Sequence, residues 1–311
     1  MKKLPLMCPC QLKSSLTKHE SCYVCDNINC EHSKVENAFR SVKSIPILIS
    51  ETQTDTVCSA KEHEIYVERP LAKYVGLRKL IVGESKTTKI NCEKFIAELF
   101  NSKENPKVLV IGGGERGSGT EKLWTEDKIE IHSIDIYASE TVDIVCDGHY
   151  LPLKDDYYDG VWVQAVLEHV VEPIVVVKEI HRILKVGGLV YAETPFMQQV
   201  HEGAYDFTRY TVLGHRYLFK KFDLIDIGGN KGPELVFAWS IRYLVWALFR
   251  SRKIARVAGL LSGLLMRPLG KLISKKSLYD ASSGVYFMGT KSNKNSVSHK
   301  DLIRLYKGQF N

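Results

Sequence analysis

No stretch of this sequence is apolar for long enough to cross a bilayer. The run over 235–249 is interrupted by Arg242, and the run over 257–266 spans ten residues before Arg267 and Pro268, against the roughly 20 that a spanning helix needs. The first residues also lack the apolar core segment of a secretory signal, so the expectation is a cytoplasmic protein, peripheral at the inner membrane face if it meets a membrane. Internal repeats are absent, which removes solenoid and propeller architectures. From 235 to 279 there is no Asp or Glu against nine Lys or Arg, in a chain whose net charge is +7, so the remainder is net acidic. What is present is an ordinary globular composition. The 311 residues are 44% hydrophobic and 25% charged, enough for one substantial core and a small accessory unit.

The segment Val108-Leu-Val-Ile-Gly-Gly-Gly-Glu-Arg-Gly-Ser-Gly119 reads as a buried strand running into a glycine-dense turn. A second short strand then ends on Asp135. That order is expected of a nucleotide-type crevice in a doubly wound sheet: glycines let a ligand approach the main chain, and the carboxylate accepts ribose hydroxyl protons. Downstream, 143–153 reads as a third strand ending in an acid and 158–164 as a fourth. A helix closed by Gly187 and Gly188 precedes a fifth, and 222–227 and 284–289 read as the sixth and seventh. The spacing Gly112-x-Gly114-x-x-Gly117 also fits a nicotinamide dehydrogenase fingerprint. The Asp147-Gly148 and Leu167-Glu168-His169 segments give a dehydrogenase no use and stand against it.

With those segments in order, residues 105–235 resemble the class I S-adenosylmethionine-dependent methyltransferases, in particular the type 11-like subgroup with an Asp-Gly-x-x-Leu-Pro and a Val-Leu-Glu-His-Val segment. The resemblance implies an α/β, Rossmann-like, seven-stranded methyltransferase sheet. It places Gly112, Gly114 and Gly117 against the methionine part of S-adenosyl-L-methionine and Asp135 on the ribose. Asp147 with Gly148 would meet the adenine amino group, and Gln164 would face the methyl-bearing sulfur. One departure is Val110, where the family often carries an acid; Glu115 is a candidate substitute.

Five of the eight cysteines lie within the first thirty residues. Two close pairs can present four thiolates to a structural zinc. Residues 1–50 resemble the small, β-rich Trm112-like zinc ribbon, including its closing Ser44-Ile-Pro-Ile-Leu-Ile49 strand. The resemblance implies Cys8, Cys10, Cys25 and Cys30 as ligands with Cys22 outside. The Cys8-x-Cys10 knuckle is one residue short and Cys25-x4-Cys30 is long, so a metal-free ribbon and a Cys22–Cys25 pair are the alternatives. Cys58, Cys92 and Cys146 read as buried small apolar residues. Residues 51–70 read as a linker, 71–291 as the methyltransferase domain, led by a helix before its first strand, and 292–311 as a polar, frayed tail.

The insertion over 235–279 is the second informative region. Read as one helix, 242–256 puts its five basic residues in an arc of about 160° with Leu244, Val245 and Leu248 opposite. A helix with a basic and an apolar face lies in an anionic membrane surface. The competing readings are packing on the core or in a homodimer, and RNA phosphate binding. Its closing Ser283-Gly-x-Tyr-Phe287 is similar to that of relatives encoded with bacterial surface-glycan genes, which favours the first.

The polar, aromatic segment 194–210 stands where enzymes of this subgroup receive the acceptor. His201 is the candidate base or substrate ligand, and Asp206 and Arg209 the candidate positioning groups; the alternative is that they tie the loop together. Glu168 and His169 read as caps of the following helix, and His149 as a pocket wall. Val163-Gln-Ala-Val166 stands in place of the Asn/Asp-Pro-Pro-aromatic motif of nucleobase amino methyltransferases, which disfavours exocyclic amines. The expectation is O-directed methylation of a glycan, lipid-linked or small-molecule acceptor near a membrane. An RNA methyltransferase and an inactive cofactor-fold scaffold are the alternatives.

Overall fold

A computed structural model describes residues 3–10, 12–52, 56–59, 66–67, 85–293 and 297–310. The main sheet is built from β5 (Lys107–Ile111), β6 (Glu130–Asp135), β7 (Ile144–Val145), β8 (Tyr158–Gln164), β9 (Leu184–Pro195), β10 (Phe222–Gly229) and β11 (Gly284–Lys291). Their spatial order is β10-β11-β9-β8-β5-β6-β7. Strands β7, β6, β5, β8 and β9 run parallel, while β11 is antiparallel to both its neighbours. This is the Rossmann-like methyltransferase sheet. Its order reverses between β5 and β8, which opens a crevice at the carboxyl ends of those strands.

Apolar patterning explains the layers. Helix α1 (Lys86–Ser102), capped by Ser85, buries Phe95, Ile96 and Leu99 on one face of the sheet beside Trp162 and Tyr191. Helix α3 (Pro173–Ile183) buries Val176, Val177, Ile180 and Ile183 on the other, with Phe219 of the turn after α4 (Val212–Leu218). Each large apolar side chain removed from water contributes about 1.5–3 kcal/mol. The short α2 (Glu121–Thr125) lies between β5 and β6 in sequence.

The helix does not extend to Gly187 and Gly188. It ends at Ile183, and both glycines lie inside β9, where pairing with β8 jumps from Tyr158↔Leu184 to Gly160↔Leu189. The extra residues bulge, and Gly187 takes the positive φ of 78° that this needs.

The N-terminal unit comprises a hairpin of β1 (Leu16–His19) with β2 (Cys22–Cys25) and a second of β3 (Ser41–Val42) with β4 (Ile45–Pro46). It covers the edge strand of the sheet. Ile47 bridges Val145 in parallel, the Leu48 N–H donates to Val145 O at 2.8 Å, and Lys13 pairs with Glu179 at 2.9 Å. Cys8, Tyr23, Phe39 and Leu48 therefore share one core with Leu109 and Ile144. Described parts of the stretch read as a linker also rest on the domain, the Val67 N–H donating to Ala138 O at 2.8 Å. Residues 68–84, which include the first part of the helix expected before β5, lie outside the described residues.

The insertion is a helical hairpin, which corrects the single helix expected over 242–256. Helix α5 (Pro233–Phe249) stops at Arg250, whose φ of 50° is left-handed, and α6 (Arg252–Met266) starts afresh with Ser251 accepting from the Ile254 N–H. Arg242 therefore sits on one helix and Arg252, Lys253 and Arg256 on the other, so the arc computed for one cylinder does not exist. Small residues line the seam: Ala238 and Ala255 are buried, and a Cβ at Gly259 would lie 2.9 Å from Arg242 Cβ. A 3-10 turn over Arg267–Lys271 and α7 (Ser277–Ala281) lead back to β11. No helix among the described residues is long and apolar enough to cross a membrane. The polar tail is anchored: α8 (His299–Arg304) follows the Ser298 cap, and Tyr306 OH and the Gln309 N–H donate to Asp280 at 2.7 and 2.6 Å.

Candidate active site and a thiol cluster

The glycine turn leaves β5 at the sheet's reversal point. Gly112 has φ 77°, and a Cβ there would collide with Val166. The Gly112 and Gly113 N–H groups donate to Ile134 O, while the Gly114 N–H donates to Asp135 Oδ2 at 2.8 Å. Asp135 Oδ1 accepts from the Ile136 N–H at 2.7 Å. Backbone amides thus orient this carboxylate at the end of β6. A Cβ at Gly114 would stand 2.6 Å from Asp135 Oδ2, and one at Gly117 would run into Gln164 Oε1. The structure therefore brings Gly112, Gly114, Gly117, Asp135 and Gln164 together over the carboxyl ends of β5, β6 and β8. Immediately after Gln164, Ala165 takes a left-handed φ of 53°, an uncommon conformation for a residue with a side chain.

Asp147 and Gly148 follow β7. Burial raises the Asp147 pKa, but hydrogen bonds from His149 and Thr56 outweigh it and hold the carboxyl below its usual range. Thr56 donates to Oδ2, and Oδ1 lies 2.6 Å from His149 Nδ1. His149 Nε2 accepts the Glu172 N–H at 3.1 Å, so the ring links Asp147 to the start of α3. Gly148 is not sterically demanded, since a Cβ there would meet only Val176 at 3.7 Å.

The loop after β9 holds the three acceptor-side candidates. The Asp206 side chain is buried and receives a two-pronged contact from Arg209, and it accepts the His201 N–H at 2.8 Å. The Arg209 hydrogen bonds hold its carboxyl far below the ordinary range. Arg209 also donates to the carbonyls of Gln198, Gln199 and Thr208. Asp206 and Arg209 thus build the loop and back His201. His201 Nδ1 lies 3.2 Å from Asp206 Oδ2, its ring meets His169 edge to face at 4.8 Å, and burial lowers its pKa below the usual histidine value.

Glu168 and His169 do not cap the following helix. The N-cap of α3 is Glu172, with no side-chain cap. Glu168 is instead fully buried, with no hydrogen-bond partner on either carboxylate oxygen, and burial pushes its pKa up to about 8. A charged residue in the apolar run Val166-Leu-Glu-His-Val170 was the available sequence signal. Behind β9, Glu193 accepts from Thr88 Oγ1 and Tyr191 OH, each at 2.9 Å, a network with no sequence signature.

In the N-terminal unit, Cys8, Cys10, Cys25 and Cys30 are all buried and their sulfurs lie within 4.8 Å of one another, while Cys22 is partly exposed and outside the cluster. A tetrahedral zinc with Zn–S of about 2.3 Å separates its sulfurs by about 3.8 Å. Cys8 and Cys30 stand at 3.9 Å. An all-thiol, buried donor set of this size fits zinc.

Residues 109–192 match a protein-family model described as a methyltransferase domain. The match supports S-adenosylmethionine-dependent methyl transfer. No curated protein matches the chain. Among solved structures, the chain is similar to a protein provisionally described as a sarcosine dimethylglycine methyltransferase from Galdieria sulphuraria (TM-score 0.45, 14% identity, covering 67% of this chain and 86% of that one). It is also similar to Haemonchus contortus phosphoethanolamine N-methyltransferase 2, solved with phosphomonomethylethanolamine and S-adenosylhomocysteine (0.43, 17%, 70% and 56%). A SAM-dependent methyltransferase from Archaeoglobus fulgidus is a third (0.42, 16%, 71% and 100%). At these scores the likenesses carry no functional information.

Proposed function

We propose that the protein is an S-adenosylmethionine-dependent, O-directed methyltransferase whose acceptor is a glycan or lipid-linked molecule met at a membrane surface. The glycine turn and Asp135 hold the methionine and ribose parts of the cofactor, Gln164 faces its sulfur, and the Asp147-Gly148 segment borders the adenine. Bound cofactor supplies a methyl group on a positively charged sulfur, so alignment of the acceptor oxygen can provide much of the rate. His201, neutral at pH 7 because burial lowers its pKa, takes the acceptor proton or binds the acceptor. Asp206 and Arg209 fix its loop.

The observation that carries the membrane reading is the tie between the hairpin and the acceptor loop. Tyr243 OH donates to Val200 O at 2.6 Å, and Gln199 Nε2 donates to Ser240 Oγ at 3.2 Å. The same hairpin exposes Leu244, Trp246, Leu248, Phe249, Leu261 and Leu265 among its basic residues. An apolar surface rimmed by cations suits anionic headgroups, and its bonds to residues 199–200 bring it beside His201. The N-terminal unit, read as Trm112-like, holds one structural zinc on Cys8, Cys10, Cys25 and Cys30 and braces the cofactor side of the sheet.

The test supplies methyl-labelled S-adenosylmethionine and the full chain to a host-cell extract and partitions the products. Label in organic-soluble lipid is expected. Label confined to nuclease-sensitive aqueous material would replace this reading with RNA methylation.

A further inference from the structure

The geometry points to a second metal site, for a divalent first-row transition ion, formed by Glu168, His169 and His201 at the acceptor side of the crevice. The three donors come from two loops. Glu168 and His169 follow β8 and His201 follows β9, yet one ligand atom from each lies within 4.8 Å of the others.

The imidazoles are already oriented for coordination. His169 Nδ1 lies 2.6 Å from the carbonyl oxygen of Tyr205, which can only accept, so Nδ1 carries the proton and Nε2 the lone pair. That Nε2 lies 3.6 Å from Glu168 Oε1, too far for a hydrogen bond and close enough for two ligands of one ion. His201 Nδ1 lies 3.2 Å from a carboxylate oxygen of the ionised Asp206, which Arg209 holds, while His169 makes the full hydrogen bond. Metal-bound histidines usually donate their other N–H to a carbonyl or carboxylate in this way.

Glu168 provides the independent observation. It is 0% exposed, and neither oxygen has a hydrogen-bond partner. A buried carboxyl group without a partner is costly; a cation between it and the two imidazoles, taking the place of its proton, supplies the missing interaction. Two imidazoles and one carboxylate suit Mn²⁺, Fe²⁺ or Zn²⁺ and leave coordination positions open. Resting on the methyl-transfer reading, the ion would bind the acceptor hydroxyl and lower its pKa, so that its proton passes to solvent water while the O–CH3 bond forms and the sulfonium S–CH3 bond breaks. His201 would then reach the acceptor through the metal.

Mn²⁺ is the probe, because it favours oxygen and nitrogen donors and leaves the four-thiol site to zinc. The full chain, loaded with zinc, is titrated with Mn²⁺ while free Mn²⁺ is followed by electron paramagnetic resonance. One Mn²⁺ per chain is expected, with affinity lowered at least about tenfold in His201→Ala and in His169→Ala. The exposed neighbour variant Glu202→Gln should bind as the wild type does. His201 is the most exposed of the three ligands, so its variant is the one that keeps the fold, as its circular dichroism would verify. Absence of Mn²⁺ binding in the wild type, or equal binding in folded His201→Ala, overturns the site. S-adenosylmethionine binding is measured separately by calorimetry: its loss with Mn²⁺ binding retained would sink the methyltransferase reading and leave the metal site standing.

Discussion

The two walls of the crevice are built differently. The wall proposed for the cofactor is made of main chain: Gly112 to Gly114 hydrogen-bond to Ile134 O and Asp135, and the polar groups there are held by neighbours close in fold and pattern. The wall proposed for the acceptor is made of side chains from separate loops, and it keeps a buried carboxyl group unsatisfied at Glu168. A wall of backbone turns fixes a shared ligand whose shape does not vary. A wall of loop side chains, joined to an inserted hairpin through Tyr243 and Ser240, can be changed to suit one acceptor without disturbing the other wall.

Breaking the cofactor wall has the largest expected effect. Gly114→Asp places a second carboxylate against Asp135 where even a Cβ would stand 2.6 Å from Oδ2. S-adenosylmethionine binding should fall below detection by calorimetry, while the Mn²⁺ titration is unchanged. Next is the thiol cluster: Cys10→Ser should lower bound zinc from one to less than one per chain by elemental analysis and lower Tm by about 5–10 °C.

On the acceptor wall, Leu248→Glu with Phe249→Glu puts two acids on exposed positions of the hairpin. Sedimentation with anionic vesicles should weaken about tenfold or more, with S-adenosylmethionine affinity unchanged. Equal vesicle binding would separate the hairpin from the membrane.

The smallest effect concerns His215, which lies under the acceptor wall with Nε2 3.0 Å from Thr194 Oγ1, its pKa lowered by burial to about 3. The unfolded chain protonates this histidine near pH 6.5 and the folded chain does not, so its contribution is complete above about 6.5. It is lost progressively as pH falls toward 3, at up to about 1.4 kcal/mol per unit. Urea unfolding at pH 6.5 and 5.5 should show a drop about 1 kcal/mol larger for wild type than for His215→Gln.

The same contrast explains what the sequence made legible. Strand and turn positions from β5 to β9 follow from local apolar runs and glycine spacing, and the four thiols of the N-terminal unit could be named from their clustering. Gly187 and Gly188 misled because a glycine pair marks a helix end and a strand bulge alike. The break at Arg250 has no local signal, since arginine seldom adopts a left-handed conformation. Thr56 reaching Asp147 across ninety-one positions, and Glu168 meeting His201, exist only after the loops are folded together.

The central claim is that the backbone-built wall binds S-adenosylmethionine. Calorimetric titration of S-adenosylmethionine into the wild-type chain, with Gly114→Asp alongside, tests it most directly. Saturable binding of one molecule per chain, absent from the variant, is the predicted result. A folded wild type that binds none at any concentration would contradict the account and leave a methyltransferase fold serving only as a binding surface.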